Sequence, residues 1–247
     1  MNNRNIITIG VLIISLIALI LNKAITKGKF TCKNYILNLY LYLSLAISLL
    51  AFTTIILEKV KINSSIYKKL IFASFLVCII CIFSIYLVEN IYISHFIWLL
   101  FIISIGMSFL PIVNILKENN DFVKTLVTVT VLVLLLTALA FYKPEYISLN
   151  WGNFLIVALI VGIIIRFIQL LIGEPTSKFN LLLSYAFVLL FSFYLLYDTK
   201  LQQIKAVKCQ DLVNNFKIYP NYPRELLGIF LDIINLFSNI GRINSSK

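Results

Sequence analysis

Apolar residues in this chain fall in long uninterrupted runs, not at alternating positions. Eight runs can be read: Ile6–Leu21, Tyr35–Leu57, Leu70–Val88, Phe96–Leu116, Phe122–Tyr142, Asn153–Ile172, Phe179–Tyr197 and Leu226–Ile240. Most have the length of a membrane-crossing helix, about 20 residues for a hydrocarbon core roughly 30 Å thick. The interruptions make chemical sense. Lys23, Lys27, Lys29 and Lys33 separate the first two runs, and Glu58-Lys59-Val60-Lys61 with Asn63-Ser64-Ser65 separates the next pair. Lys117-Glu118-Asn119-Asn120-Asp121 reads as a tight polar turn. Lys143-Pro144-Glu145 and Gly173-Glu174-Pro175-Thr176 place proline where a helix cannot continue. The pattern predicts an all-α fold, a polytopic membrane helix bundle.

The two end runs differ from the rest. Ile6–Leu21 is short and follows Met-Asn-Asn-Arg, the shape of a signal peptide, but no small-x-small cleavage site follows it. We expect a retained extra helix or signal anchor over 1–29, ahead of the main transmembrane domain at 30–247. Leu226–Ile240 would be about 22 Å long at 1.5 Å per residue. It carries Asp232, Asn235 and Asn239, so a buried place in the bundle is expected for it.

Composition agrees with the pattern. Of 247 residues, 61% are hydrophobic and 13% charged, which excludes a soluble enzyme and a disordered chain. The net charge of +11 has no soluble domain to gather on. It reads as loop charge meeting lipid headgroups, not as a nucleic-acid surface. With all eight runs crossing, Arg and Lys divide ten to ten between the two faces of the membrane, and the positive-inside rule is silent. A re-entrant last helix would give the face bearing Lys23–Lys33 the larger share, and the cytosol with it. The four cysteines, Cys32, Cys78, Cys81 and Cys209, are too scattered for a disulfide framework. Cys78 and Cys81 form a C-x-x-C inside an apolar run, where packing is the expected role. No P-loop, G-x-G-x-x-G or G-x-S-x-G occurs, and His95 has no evident catalytic partner. An enzyme is not expected, and neither is a resident cofactor.

Acidic residues are scarce, so their positions inform. Asp232 lies within an apolar run, where an aspartate costs about 2.5–3.5 kcal/mol and normally has a partner and a function. Asp198 closes the preceding run in Leu196-Tyr197-Asp198-Thr199. Asp232 lies six residues beyond Leu226, about 9 Å by helical rise, so both carboxylates fall in the same half of the membrane. Gly228, Asp232, Asn235 and Asn239 fall at i, i+4, i+7 and i+11, one stripe of a helix suited to close packing or to lining a path. Two close carboxylates in a low dielectric cannot both ionise cheaply, so the pair can share a proton. When ionised it offers hard oxygen ligands for transient Ca²⁺. Chemistry alone therefore points to proton sensing or cation passage. Gly162, Arg166, Gln169 and Gly173 repeat the spacing in the sixth run. Arg166 is expected to snorkel or to hold a structural pair with Glu58, which ends the second run on the same face.

Two stretches resemble the Bax inhibitor family, the lifeguard or transmembrane Bax-inhibitor-motif proteins. Leu196-Tyr197-Asp198-Thr199 is similar to the family's end-of-helix Tyr-Asp-Thr. Leu231-Asp232-Ile233-Ile234-Asn235-Leu236-Phe237 is similar to its final helix, and Trp151-Gly152-Asn153-Phe154-Leu155 more loosely to the opening of its fifth. The resemblance covers about 30–243. It implies a seven-helix core around a central, short C-terminal helix, with Ile6–Leu21 as an addition. It implies a pH-responsive Ca²⁺ leak gated by Asp198 and Asp232, and control of cell death alongside other membrane proteins. It places the chain in the endoplasmic reticulum or Golgi membrane of a eukaryote or virus, or in a bacterial plasma membrane. The sequence departs from the family in Phe101–Ser108, which holds no acidic residue, and in Leu70–Val88, which holds no matching basic one. The stretch from Lys200 to Tyr222 reads as an unusually long loop. Two other readings remain: a non-conducting anti-apoptotic adaptor, and an intramembrane aspartyl protease. The second would want Gly-x-Gly directly before its second aspartate, where this chain has Gly228-Ile229-Phe230-Leu231.

Overall fold

Long apolar runs bounded by charge give long helices. The computed structural model describes residues 3–60, 64–172 and 177–246. The expected breaks at 61–63 and at Gly173-Glu174-Pro175-Thr176 lie outside the described residues. The helices are α1 (Asn3–Leu21), α2 (Tyr35–Leu57), α3 (Ser64–Leu87), α4 (Ile91–Glu118), α5 (Phe122–Tyr142), α6 (Trp151–Ile172), α7 (Ser177–Phe216), α8 (Tyr222–Glu225) and α9 (Leu227–Ser245). A hairpin of two short strands, β1 (Ile25–Thr26) and β2 (Lys29–Phe30), joins α1 to α2, and a 3-10 turn, Pro144–Tyr146, follows α5. The architecture is all-α and polytopic. Among the described residues, seven helical stretches, Tyr35–Leu57 to Tyr222–Ser245, are long and apolar enough to cross a bilayer. In α5 and α6 only 17% of the apolar window is buried, so most of it is left for lipid; in Tyr222–Ser245 the share is 56%. The last helix therefore meets protein more than lipid, as its polar stripe requires.

Three expectations need correction. Lys200 to Tyr222 is not a loop: α7 continues to Phe216, 40 residues in all. No Pro or Gly interrupts 198–216, and its Lys and Gln residues are good helix formers that hydrophobicity does not score. Asp198 therefore lies mid-helix, not at a helix end. The last helix extends past the apolar run to Ser245, and with α8 gives a 24-residue stretch. Finally, Cys32 and Cys209 are paired, with Cα atoms 5.7 Å apart. The fold brings residues 177 positions apart together, which spacing alone does not reveal. Cys78 and Cys81 are free and buried, as packing residues would be.

The chain divides into two compact units. One comprises Met1–Pro111 with Lys205–Leu227, the other Ile112–Ile204 with Gly228–Lys247. In the first, α1 packs along α2, and the Ser15 and Ser44 hydroxyls pair at 2.9 Å. The hairpin turns on Lys27 (φ 50) and Gly28 (φ 72), both in the left-handed region that a tight two-residue turn requires. Phe30 stacks on His95 with centroids 5.3 Å apart, and the Tyr222 hydroxyl donates to the Thr31 carbonyl at 2.6 Å. The Cys32–Cys209 bridge fastens the same region to the end of α7. In the second unit, Ala140, Ile147 and Leu196 form a buried cluster, flanked by Leu136 and Trp151. Asn244 of α9 donates to Thr125 of α5 at 2.9 Å.

Candidate functional site

Successive residues of a helix point about 100° apart, and α7 puts four of them in a row to separate uses. The Tyr197 phenol occupies the space left by Gly152 in α6, where a Cβ would stand 2.7 Å from Oη. The Asp198 carboxylate packs on Gly228 in the first turn of α9; a Cβ there would stand 2.8 Å from Asp198 Cγ and closer still to Oδ2. Thr199 is fully buried, and its Oγ1 has no hydrogen-bond partner among the described residues. Lys200 Nζ donates to the Pro144 carbonyl at 2.8 Å and to that of Ile147. The Tyr-Asp-Thr stretch singled out in the sequence is thus a packing junction as well as a candidate site.

Asp232 lies one turn beyond Gly228 on the same face of α9. It is 4% exposed, and its Oδ2 has no hydrogen-bond partner among the described residues. The Asp198 carboxylate reaches the same face of α9 at Gly228, a single turn away from Asp232. Tyr194, which sequence reasoning missed, joins them. It lies one turn before Asp198 on α7, its ring environment takes in both aspartates, and its buried hydroxyl has no hydrogen-bond partner among the described residues. Its i, i+4 spacing to Asp198 was the signal that could have found it.

The rest of the stripe is tied to its own helix. Asn235 Nδ2 donates to the Leu231 carbonyl and Asn239 Nδ2 to that of Asn235, each at 2.8 Å. The α6 stripe packs toward α7 at Gly162 and Arg166; Gly173 lies outside the described residues. A Cβ on Gly162 would meet the Phe187 ring at 2.7 Å. The Arg166 guanidinium lies 5.5 Å from the centroid of the same ring and donates to Gln169 at 3.1 Å and Asn180 at 3.4 Å. These amides are its partners within the unit; Glu58 belongs to the other unit, at the C-terminal cap of α2.

Among the described residues no group of three or more His, Cys, Asp or Glu could hold a metal ion.

Residues 32–247 match the family described as Inhibitor of apoptosis-promoting Bax1. The chain belongs to the Bax inhibitor family. Asp198, Asp232 and their neighbours all fall inside the matched region, whereas α1 and the hairpin precede it. No curated protein matches the chain. Family membership and seven apolar helices make this Bax inhibitor protein an integral multi-pass membrane protein and a modulator of cell death.

Proposed function

We propose that the protein is a proton-regulated cation leak, with Ca²⁺ as cargo, whose gate is the Asp198–Asp232 pair. The observation that carries this reading is Asp232: a carboxylate buried in an apolar helix, with one oxygen unpartnered among the described residues, on the helix face that a second carboxylate reaches. Such a group is expensive to keep unless its state changes during function. A shared proton lets the pair exist at low cost in one state. Loss of that proton leaves two repelling charges and a favourable stop for a cation. Because Asp198 rests on the α9 backbone at Gly228, repulsion between the carboxylates acts on the contact between α7 and α9. Control of cell death then follows from the resting Ca²⁺ content of the compartment this membrane encloses.

The test is Ca²⁺ flux into proteoliposomes as a function of pH. Wild type should show pH-dependent flux, and Asp232→Asn should show flux that no longer responds to pH. Equal, pH-independent flux in both would overturn the gating assignment.

A further inference from the structure

Away from the aspartates, the first unit holds a pocket of about 490 Å³ between the β1–β2 hairpin and the end of α7. This is the size of a small-ligand site, for which 300–1,000 Å³ is usual. Its polar lining comes from Thr26, Lys27, Lys29, Thr31, Gln210 and Tyr219. No acidic residue lines it; Asp211, next to Gln210 in sequence, is not part of the wall. The Lys29 ammonium lies 4.3 Å from the centroid of the Tyr219 ring, which positions the charge without neutralising it. Phe30 and Val213 give the pocket an apolar side. The Cys32–Cys209 bridge joins its two walls, since Cys32 lines the pocket and Cys209 precedes Gln210.

The Thr31 hydroxyl already donates to the Lys23 carbonyl and the Gln210 amide to Asn214, so Lys27 and Lys29, with the Thr26 and Tyr219 hydroxyls and no lining carboxylate, form the binding set for a compact anion with several acceptor oxygens. The position adds to this. The hairpin begins four residues after α1 ends, and Ile20, Leu21 and Ile25 expose apolar surface there. We propose that this pocket binds a phosphate-bearing anion through Lys27 and Lys29, either a phospholipid headgroup or a phosphorylated solute.

The test uses the full chain and two probes. Inorganic phosphate is titrated calorimetrically against detergent-solubilised protein. Dioleoyl phosphatidic acid is offered in phosphatidylcholine nanodiscs, and retained lipid is counted by native mass spectrometry. Wild type should bind, and the exposed-site variant Lys27→Gln/Lys29→Gln should bind at least about tenfold more weakly. Lys143→Gln, on a lysine outside the pocket, should bind like wild type. Retention of the lipid alone identifies a headgroup site, and binding of inorganic phosphate identifies a site open to solutes. The proposal is overturned if neither probe binds wild type, if the double variant binds equally well, or if Lys143→Gln weakens binding as much.

Discussion

Gly228→Ala tests whether the Asp198 carboxylate rests on α9 as described. The added Cβ would stand 2.8 Å from Asp198 Cγ, whereas ordinary contact begins at 3.4 Å, so the carboxyl carbon must retreat by about 0.6 Å. Oδ2, which is nearer, must move further. The α7 backbone is held there, because Tyr197, Thr199 and Lys200 are each engaged or buried, so the carboxylate itself must turn away about its own side-chain bonds. Overpacking of this kind costs about 1–3 kcal/mol. On the scale for domains of this size, that lowers Tm by roughly 2–12 °C. Asp198→Ala removes the clashing group, so Gly228→Ala added to that background should cost less than about 0.5 kcal/mol. The double-mutant cycle then gives a coupling of about 1–2.5 kcal/mol. Thermal unfolding in a single detergent reads all four corners. A Gly228→Ala protein with unchanged Tm refutes the contact, as does an equal loss in both backgrounds.

Other consequences are as direct. Lys200→Met keeps the aliphatic stem but withdraws the ammonium from the Pro144 and Ile147 carbonyls; a loss of about 1–3 kcal/mol is expected in the same assay, and an unchanged Tm would show that the clamp is not made. The Cys32–Cys209 bridge closes a span of 177 residues, which on the chain-entropy account is worth roughly 5 kcal/mol. In denatured, unreduced protein two of the four cysteines should resist alkylation until reductant is added, and Tm of the folded protein should fall on reduction; four reactive thiols before reduction would refute the bridge. A bridge trapped by alkylating free thiols before lysis would place the α1–α2 loop on the oxidising face of the membrane, against the cytosolic side that a re-entrant last helix would give it.

Much of this protein could be read in its sequence where hydrophobicity marks the helix. The runs Tyr35–Leu57 and Phe122–Tyr142 match α2 and α5 residue for residue, because lipid-facing helices are apolar all round and stop at charge. The same marker failed beyond Asp198. There α7 continues with Lys and Gln, residues that favour a helix without being apolar. Asp232 stood out because an acid in an apolar run is costly. Tyr194 did not, since one tyrosine among 13 carries no such mark until a structure shows what charge lies beside it. The bridge between Cys32 and Cys209 was invisible for a related reason: pairing is a property of the fold, and the spacing that reveals a compact disulfide framework is absent.

Tyr194 separates a site from a packing junction. The contacts of Tyr197, Asp198 and Lys200 would exist in a purely structural junction, so their loss lowers stability whatever the function. Tyr194 is different, because its hydroxyl makes no hydrogen bond among the described residues while its ring environment takes in both aspartates. Tyr194→Phe keeps the ring and removes a polar atom that contributes no bond, so stability should change by less than about 0.5 kcal/mol. If the carboxylates gate a leak, that hydroxyl is part of the environment in which they exchange a proton, and its removal should displace the pH profile of Ca²⁺ flux. Asp232→Asn should abolish the profile altogether. A Tyr194→Phe protein with unchanged Tm and a displaced profile can be explained only through the carboxylates, since no packing is lost. A profile identical to wild type would remove Tyr194 from the site and leave the aspartates to act without it.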